Sequence, residues 1–447
     1  MNPRRAIVRG DRSISSVALT ALVAAALGGL GGCQAGDVTG EDGETEIAAS
    51  ASHGNHPGRE LFEEETFGGN GRTCLTCHSQ KTGTLSVEDV QDLYAKDPGD
   101  PLFSHDGSDD FQGNGTSRIR ADATILIRRD LPPGVFLLDD PGATSVVVSR
   151  GIPTTLNTPA LDPVLMYDGR DPDLTTQALG AIHGHAQNTV EPTAEELADI
   201  ADFQKTEHFF SSPALRHFAE GGPAPELPQG HTASEKRGRL FFEDAPVPTA
   251  INQDTPRKGL CAICHSGPML NTSNGFNPLP VAPFPKNCTP PGSEPFPPLA
   301  PGEPPRPPCA CDEPATQANH VPAGTRFQSI LVSELNFANN PVHLYAVPLP
   351  DSSLLVLPSP DPGVSLTTGN FIPFPNGQFS NFKIPTLWGV KKTAPYFHDN
   401  SRKTLEGVLD HYTQFFAIAS DCNIDGDPPL VLTDQDRADL LAFMKLL

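Results

Sequence analysis

The sequence predicts a mainly α-helical fold in which one helical module occurs twice in tandem, with long loops in each copy and a proline-rich insertion in the second. Three observations predict it. The pentapeptide CLTCH at 74–78 returns as CAICH at 261–265. A Gly-Arg opening with apolar residues behind it precedes each copy, Gly58-Arg59-Glu60-Leu61-Phe62 before the first and Gly238-Arg239-Leu240-Phe241-Phe242 before the second. Each half then closes on a stretch with helical spacing, TAEELADIADFQK from Thr193 and TDQDRADLLAFMK from Thr433. Self-similarity over that length marks a duplicated module, and 447 residues exceed one ordinary core. The 48 prolines and 40 glycines put much of the remainder in ordered loop.

Taken from the N-terminus, residues 1–32 predict an export signal. Arg4, Arg5, Arg9 and Arg12 precede an apolar run from Val17 to Leu30 that is too short for a permanent membrane span. LGGC at its end resembles a bacterial lipoprotein cleavage box, which makes Cys33 the lipidated first residue; the alternative is a plain secretory signal cut nearby. Residues 33–57 are polar, acidic and rich in Gly, Ala and Ser, as a flexible tether is. The first module runs over 58–220 and the second over 231–447, joined at 221–230 by GGPAPELPQG. Both closing helices open on a Thr three residues ahead of an acid, Thr193 to Glu196 and Thr433 to Asp436, a capping arrangement. Their apolar positions are Leu197, Ile200 and Phe203 in one, Leu440, Leu441, Phe443 and Met444 in the other. Residues 276–325 form the proline-rich insertion, an extended surface lobe.

Removal of residues 1–32 takes away four Arg and one Asp and moves the formal charge from −23 to −26. So acidic a surface excludes nucleic acid as partner and leaves the lipid anchor as the contact with a membrane. It suits a basic protein, whose encounter opposite charge speeds. Cys288, Cys309, Cys311 and Cys422 are even in number in an exported chain and allow two disulfides in three connectivities.

The remaining cysteines carry the chemistry. Two thiols two residues apart with a histidine next can be half of a zinc site, a redox dithiol or the seat of a c-type haem. Zinc wants two further ligands at short spacing for each pair, and a thioredoxin-like pair wants a βαβ setting that neither copy has. Haem satisfies the spacing. Cys74 and Cys77, and likewise Cys261 and Cys264, stand one helical turn apart, where both can bond the two vinyl groups, and the following imidazole meets the iron. His78 and His265 are then the proximal ligands of two covalently bound haems, and the fold class becomes two cytochrome c-type modules. Of the four methionines, none is an evident sixth ligand: Met1 is lost, Met269 lies too close to His265, and Met166 and Met444 read as packing.

Two longer stretches carry a resemblance. MYDGRDPDLTTQALG at 166–180 and KIPTLWGVKKTAPYFHDNSRKTLEGVLDHY at 383–412, in that order with the two CxxCH segments, resemble the bacterial di-haem cytochrome c peroxidase family. The family includes a MauG-like branch, which matures methylamine dehydrogenase by oxidising tryptophans of its precursor. The similarity spans nearly the whole exported chain apart from the insertion.

The resemblance implies a periplasmic oxidoreductase that reduces hydrogen peroxide at the N-terminal haem, with electrons from a small cytochrome c or copper protein entering through the C-terminal haem. The alternatives are MauG-like oxidation of a protein or small molecule through high-valent haem, and a non-catalytic electron carrier. It places the haems on either side of a seam between MYDGR and TAPYFHD. It puts Tyr167 where peroxidases have Trp between the haems, Gln177 at the distal glutamine, and Gln187 at the distal acid, with Glu191 just beyond. Glutamine cannot take a proton from peroxide, so His183, His185 or Glu191 is left as substitute. Tyr412 falls on the sixth-ligand position of the second iron, where peroxidases have Met and the MauG-like branch has Tyr, with His411 as the neighbouring alternative. A calcium ion between the domains would use carbonyls at Thr393 and Pro395, but the family's Asn ligand is Gly151 here. His398 matches a family motif, and His105 is a further candidate ligand for the first iron that no family position supports.

Overall fold

The structure, a computed structural model, describes residues 56–158, 162, 164–206, 210–243, 261–271, 326–335, 340–349, 352–373, 378–421 and 432–447. The export signal with Cys33, nearly all of the tether, the proline-rich insertion and Cys288, Cys309, Cys311 and Cys422 lie outside the described residues. Among those described, no helix is long and apolar enough to cross a membrane. The described residues fall in one compact unit.

The duplicated segments form duplicated helix pairs. The helix Pro57–Glu63 packs on Ala194–Thr206, and the helix Ala233–Phe242 packs on Asp434–Met444. The capping read from the sequence is present: Thr193 Oγ1 accepts from the amide of Glu196 at 3.2 Å, and Thr433 Oγ1 from that of Asp436 at 3.1 Å. Each pair meets at a glycine. A Cβ on Gly58 would stand 2.0 Å from the Asp199 carbonyl oxygen, and one on Gly238 would stand 2.0 Å from that of Asp439. The close approach brings phenylalanines together beside it in tilted pairs, Phe62 with Phe203 at 5.6 Å and Phe242 with Phe443 at 5.3 Å between centroids.

The long loops expected between the helices contain strands. Thr124–Asp130 pairs antiparallel with Ser145–Gly151. The short strand Phe136–Leu137 joins His343–Pro348, which pairs in turn with Leu354–Ser359. Phe327–Gln328 pairs with Phe382–Lys383. TILIRRD and SVVVSRG are β-branched runs whose burial fits a half-covered hairpin. The second sheet takes strands from both halves of the sequence, over a core of Leu137, Val146, Val148, Tyr345, Leu357 and Phe371. The halves are therefore fastened to each other by backbone pairing.

A second duplication lies in the turns. Leu165 bridges Asp171 and Tyr396 bridges Arg402 in isolated antiparallel pairs. Met166 and Phe397 at the start of these turns both have positive φ, 67° and 71°. Each turn leads into a helix, Leu174–Ala181 after the first and Leu405–Asp421 after the second. MYDGRDPDL and FHDNSRKTL are thus one supersecondary unit used twice, with Asp168 matching Asp399 and Leu174 matching Leu405.

Candidate functional site

Each CxxCH segment forms a single helical turn, Cys74–Cys77 and Cys261–Cys264, and no disulfide joins the four half-buried thiols. The imidazoles behind them are oriented alike. His78 Nδ1 lies 2.8 Å from the carbonyl of Gly83, and His265 Nδ1 lies 2.8 Å from that of Leu270. Nδ1 donating to a carbonyl fixes the ring and leaves Nε2 as the nitrogen for a metal. Burial lowers both histidines below their ordinary value, so both are neutral, as ligands must be. Burial also pushes Cys74 up to about 12, Cys77 to about 11 and Cys264 to about 12. A redox dithiol needs the opposite. Among the described residues no three His, Cys, Asp or Glu side chains converge as metal ligands, so neither pair is half of a zinc site built from them. Two adjacent thiols with one preoriented imidazole, twice over, fit a c-type haem at each place.

The repeated turn-and-helix unit distinguishes the two places. Tyr412 falls on the same helical position as Ala181 when each helix is counted from its matched leucine. Tyr412 packs beside Cys261 in the second core, and the proximity of Cys264 and Cys261 adds to burial in holding its phenol well above the usual range. His411, next to it, is fully buried with Nε2 on the Ile330 carbonyl at 2.8 Å, and burial lowers it to about 4. Ala181, in contrast, presents only a methyl group and lines a small open cleft with Met166, Arg170, Asp171, Gln177, Gly180 and His185.

The residues read for the first site are divided by the structure. Gln177 is in the cleft. Gln187 is exposed, with φ 53°, and its Oε1 accepts from Asn70 Nδ2 at 3.2 Å. Glu191 is exposed and holds His183 Nε2 at 2.9 Å. His185 alone of the candidate substitutes reaches the cleft. Tyr167 stands at the seam, its carbonyl accepting from the Lys383 amide at 2.8 Å, and burial together with the Asp399 carboxyl keeps its phenol protonated. Beside Gly151, where the resemblance wants an Asn, the side chain of Asn400 occupies the space: an added Cβ would meet its Oδ1 at 2.1 Å. Asn400 Nδ2 donates to the carbonyls of Asp122 and Ala123 at 2.9 and 3.0 Å. Thr393 and Pro395 lie in the same segment, around a cis Ala394–Pro395 bond.

Two buried charge clusters escaped the sequence reading. At the seam, Arg150 is fully buried, bonds Asp361 through Nε at 2.7 Å and Nη2 at 2.9 Å, and bonds Asp168 through Nη1 at 2.8 Å. Burial opposes its charge, yet the two carboxylates raise it above its ordinary value. His398 stacks on Phe382 at 3.9 Å and lies 3.8 Å from Asp361. Near the first CxxCH, buried Asp106 lies between the Arg72 guanidinium and His185. No motif announces either cluster, because the partners are far apart in sequence. The Asp shared by the two turns, with a residue prone to positive φ after it and Leu at the helix start, is the signal that would have revealed the repeated unit.

No protein-family model matches the chain, and no curated protein matches it. Solved structures similar to it include a MauG-like protein associated with microbial copper homeostasis, at 17% identity over 87% of this chain and 87% of that one, with a TM-score of 0.41. The diheme peroxidase BthA from Burkholderia thailandensis is similar at 16% identity over 87% of this chain and 84% of that one, with a TM-score of 0.37. Both are of the kind that the two long motifs resemble.

Proposed function

We propose that the protein is an exported di-haem c-type oxidoreductase that reduces hydrogen peroxide at the His78 site and receives electrons through the His265 site. The observation that carries this reading is the pairing of Ala181 with Tyr412: one helical position gives a ligand-capable phenol in the second half and a bare methyl in the first. Bound through Cys74 and Cys77, and through Cys261 and Cys264, haem would supply an iron that exchanges single electrons and, where its sixth position is free, accepts peroxide. The chain's own residues do the rest. His78 and His265 are held in one tautomer by the Gly83 and Leu270 carbonyls. Gln177 offers an amide to a ligand in the cleft. Tyr412, close to Cys261 and Cys264, reserves the second site for electron transfer, while His411 is engaged by Ile330.

The position of Tyr412 also favours a second reading, MauG-like oxidation of a protein or small molecule, because a phenolate at that place stabilises oxidised iron. In either reading the acidic chain is tethered through Cys33 outside the cytoplasm and meets a small basic cytochrome or a copper protein. The reading is tested by intact mass and peroxide turnover of protein matured with its haem-attachment machinery. Two covalent haems and steady reduction of peroxide by a reduced cytochrome are expected. Absence of added tetrapyrrole mass overturns it, and two haems with oxidation of an organic or protein substrate but no peroxide turnover by the cytochrome selects the second reading.

A further inference from the structure

We propose that His185, oriented by the buried carboxylate of Asp106, is the proton-transfer residue of the first site. The inference rests on the peroxide-reducing reading above and supplies the group that Gln187 cannot be.

The geometry starts in the backbone. The helix Leu174–Ala181 passes into a π turn over Ile182–Ala186. A π turn holds an extra residue, so the face presented by later positions rotates away from the α-helical register, and such turns cluster at functional sites. Gln187, which a gapless match places at the distal acid, is turned outward by this rotation, and His185 takes the inward place among Gln177, Ala181 and Arg170.

His185 is held from behind. Its Nδ1 is 2.5 Å from Asp106 Oδ2, and Asp106 is only 1% exposed. The other carboxylate oxygen is bonded to the Arg72 guanidinium, itself 2% exposed. That guanidinium is fixed by carbonyls of Pro101 at 2.9 Å, Leu102 at 3.0 Å and Ser104 at 2.6 Å. A buried carboxylate persists only with such partners. It accepts the Nδ1 proton of His185 and so leaves the Nε2 lone pair for the cleft, as an orienting acid does for a catalytic imidazole. The other charged or titratable groups around the ring are His105, 3.8 Å from Asp106, and Arg170 and Asp171 across the cleft.

In the proposed step Nε2 takes the proton from one peroxide oxygen and gives it to the other as the O–O bond breaks, so that the far oxygen leaves as water. Over a turnover peroxide takes up two electrons from the reduced donor protein and two protons from solvent, yielding two waters, and His185 ends as it began.

The test uses the holoprotein and two readouts: kcat/KM for peroxide, and the optically followed association rate of cyanide, which must also lose a proton to bind. His185→Gln is expected to slow both by roughly 100-fold or more, and His185→Glu to recover most of the loss, as general acid–base roles do. Asp106→Asn is expected to lower both about tenfold with the KM for the donor unchanged, as loss of an orienting partner does. His183→Gln, on the exposed Glu191 pair, keeps parental rates. If His185→Gln stays within about threefold of the parent in both, against the range expected of an acid–base residue, or if His185→Glu recovers nothing, the inference falls while the peroxide reading stands. A parent that neither reduces peroxide nor binds cyanide overturns both.

Discussion

Arg150 illustrates how a single residue can organise the region between two sites. It carries a charge into a fully buried place, which is tolerable only because Asp361 grips it through two nitrogens and Asp168 through a third. Truncation to Arg150→Met leaves Asp361 facing the His398 ring at 3.8 Å, and burial disfavours a charge on that ring. Urea unfolding should then show a loss of about 3–5 kcal/mol, the cost typical of breaking a buried pair from one side. A loss below about 1 kcal/mol would mean that the cluster is not desolvated as described. The sign with pH follows from Asp168 and Asp361, both held below the ordinary carboxylate range chiefly by Arg150, against the opposing effect of burial. Their contribution is present above pH ~4 and is lost as pH falls through their depressed values, so Arg150→Met should flatten the acid limb of the stability curve. The two CxxCH turns were legible because spacing alone defines them, whereas Tyr412 was singled out only by the family resemblance. Arg150, Asp361, Asp106 and Arg72 were not legible, because a buried ion pair is made by the fold and leaves no local pattern.

At the scale of elements, the closing helices and their caps were readable from periodicity and from Thr193 and Thr433. The strands were not legible against a proline and glycine content that favours loops, although SVVVSRG and TILIRRD carry ordinary β-branched signals. The π turn could not be read at all: a one-residue change of register has no sequence signature, and it decides whether His185 or Gln187 faces inward. The glycine crossings give a direct check of the helix pairs. Gly238→Ala places a methyl where the Asp439 carbonyl already lies, at 2.0 Å. Thermal unfolding should reveal a penalty of about 1–3 kcal/mol, typical of overpacking. Gly58→Ala, against Asp199, should behave alike. An unchanged melting temperature in both would contradict the close packing.

For the whole molecule, the repeated turn-and-helix unit gives two similar halves, and the division of work proposed for them rests on what one matched helical position offers in each. The sheet shared between Phe136–Leu137 and His343–Pro348, together with Arg150 on Asp361, keeps the halves in fixed relation. Tyr167 and His398 occupy the same place in their two turns and both stand in that seam, between the segments that hold the proposed sites. What differs is the group each helix offers, Ala181 at the first and Tyr412 at the second. The most direct test is the EPR spectrum of the fully oxidised holoprotein. One high-spin iron and one low-spin iron whose signal changes in Tyr412→Phe are predicted; two low-spin irons, both indifferent to that substitution, would contradict the account.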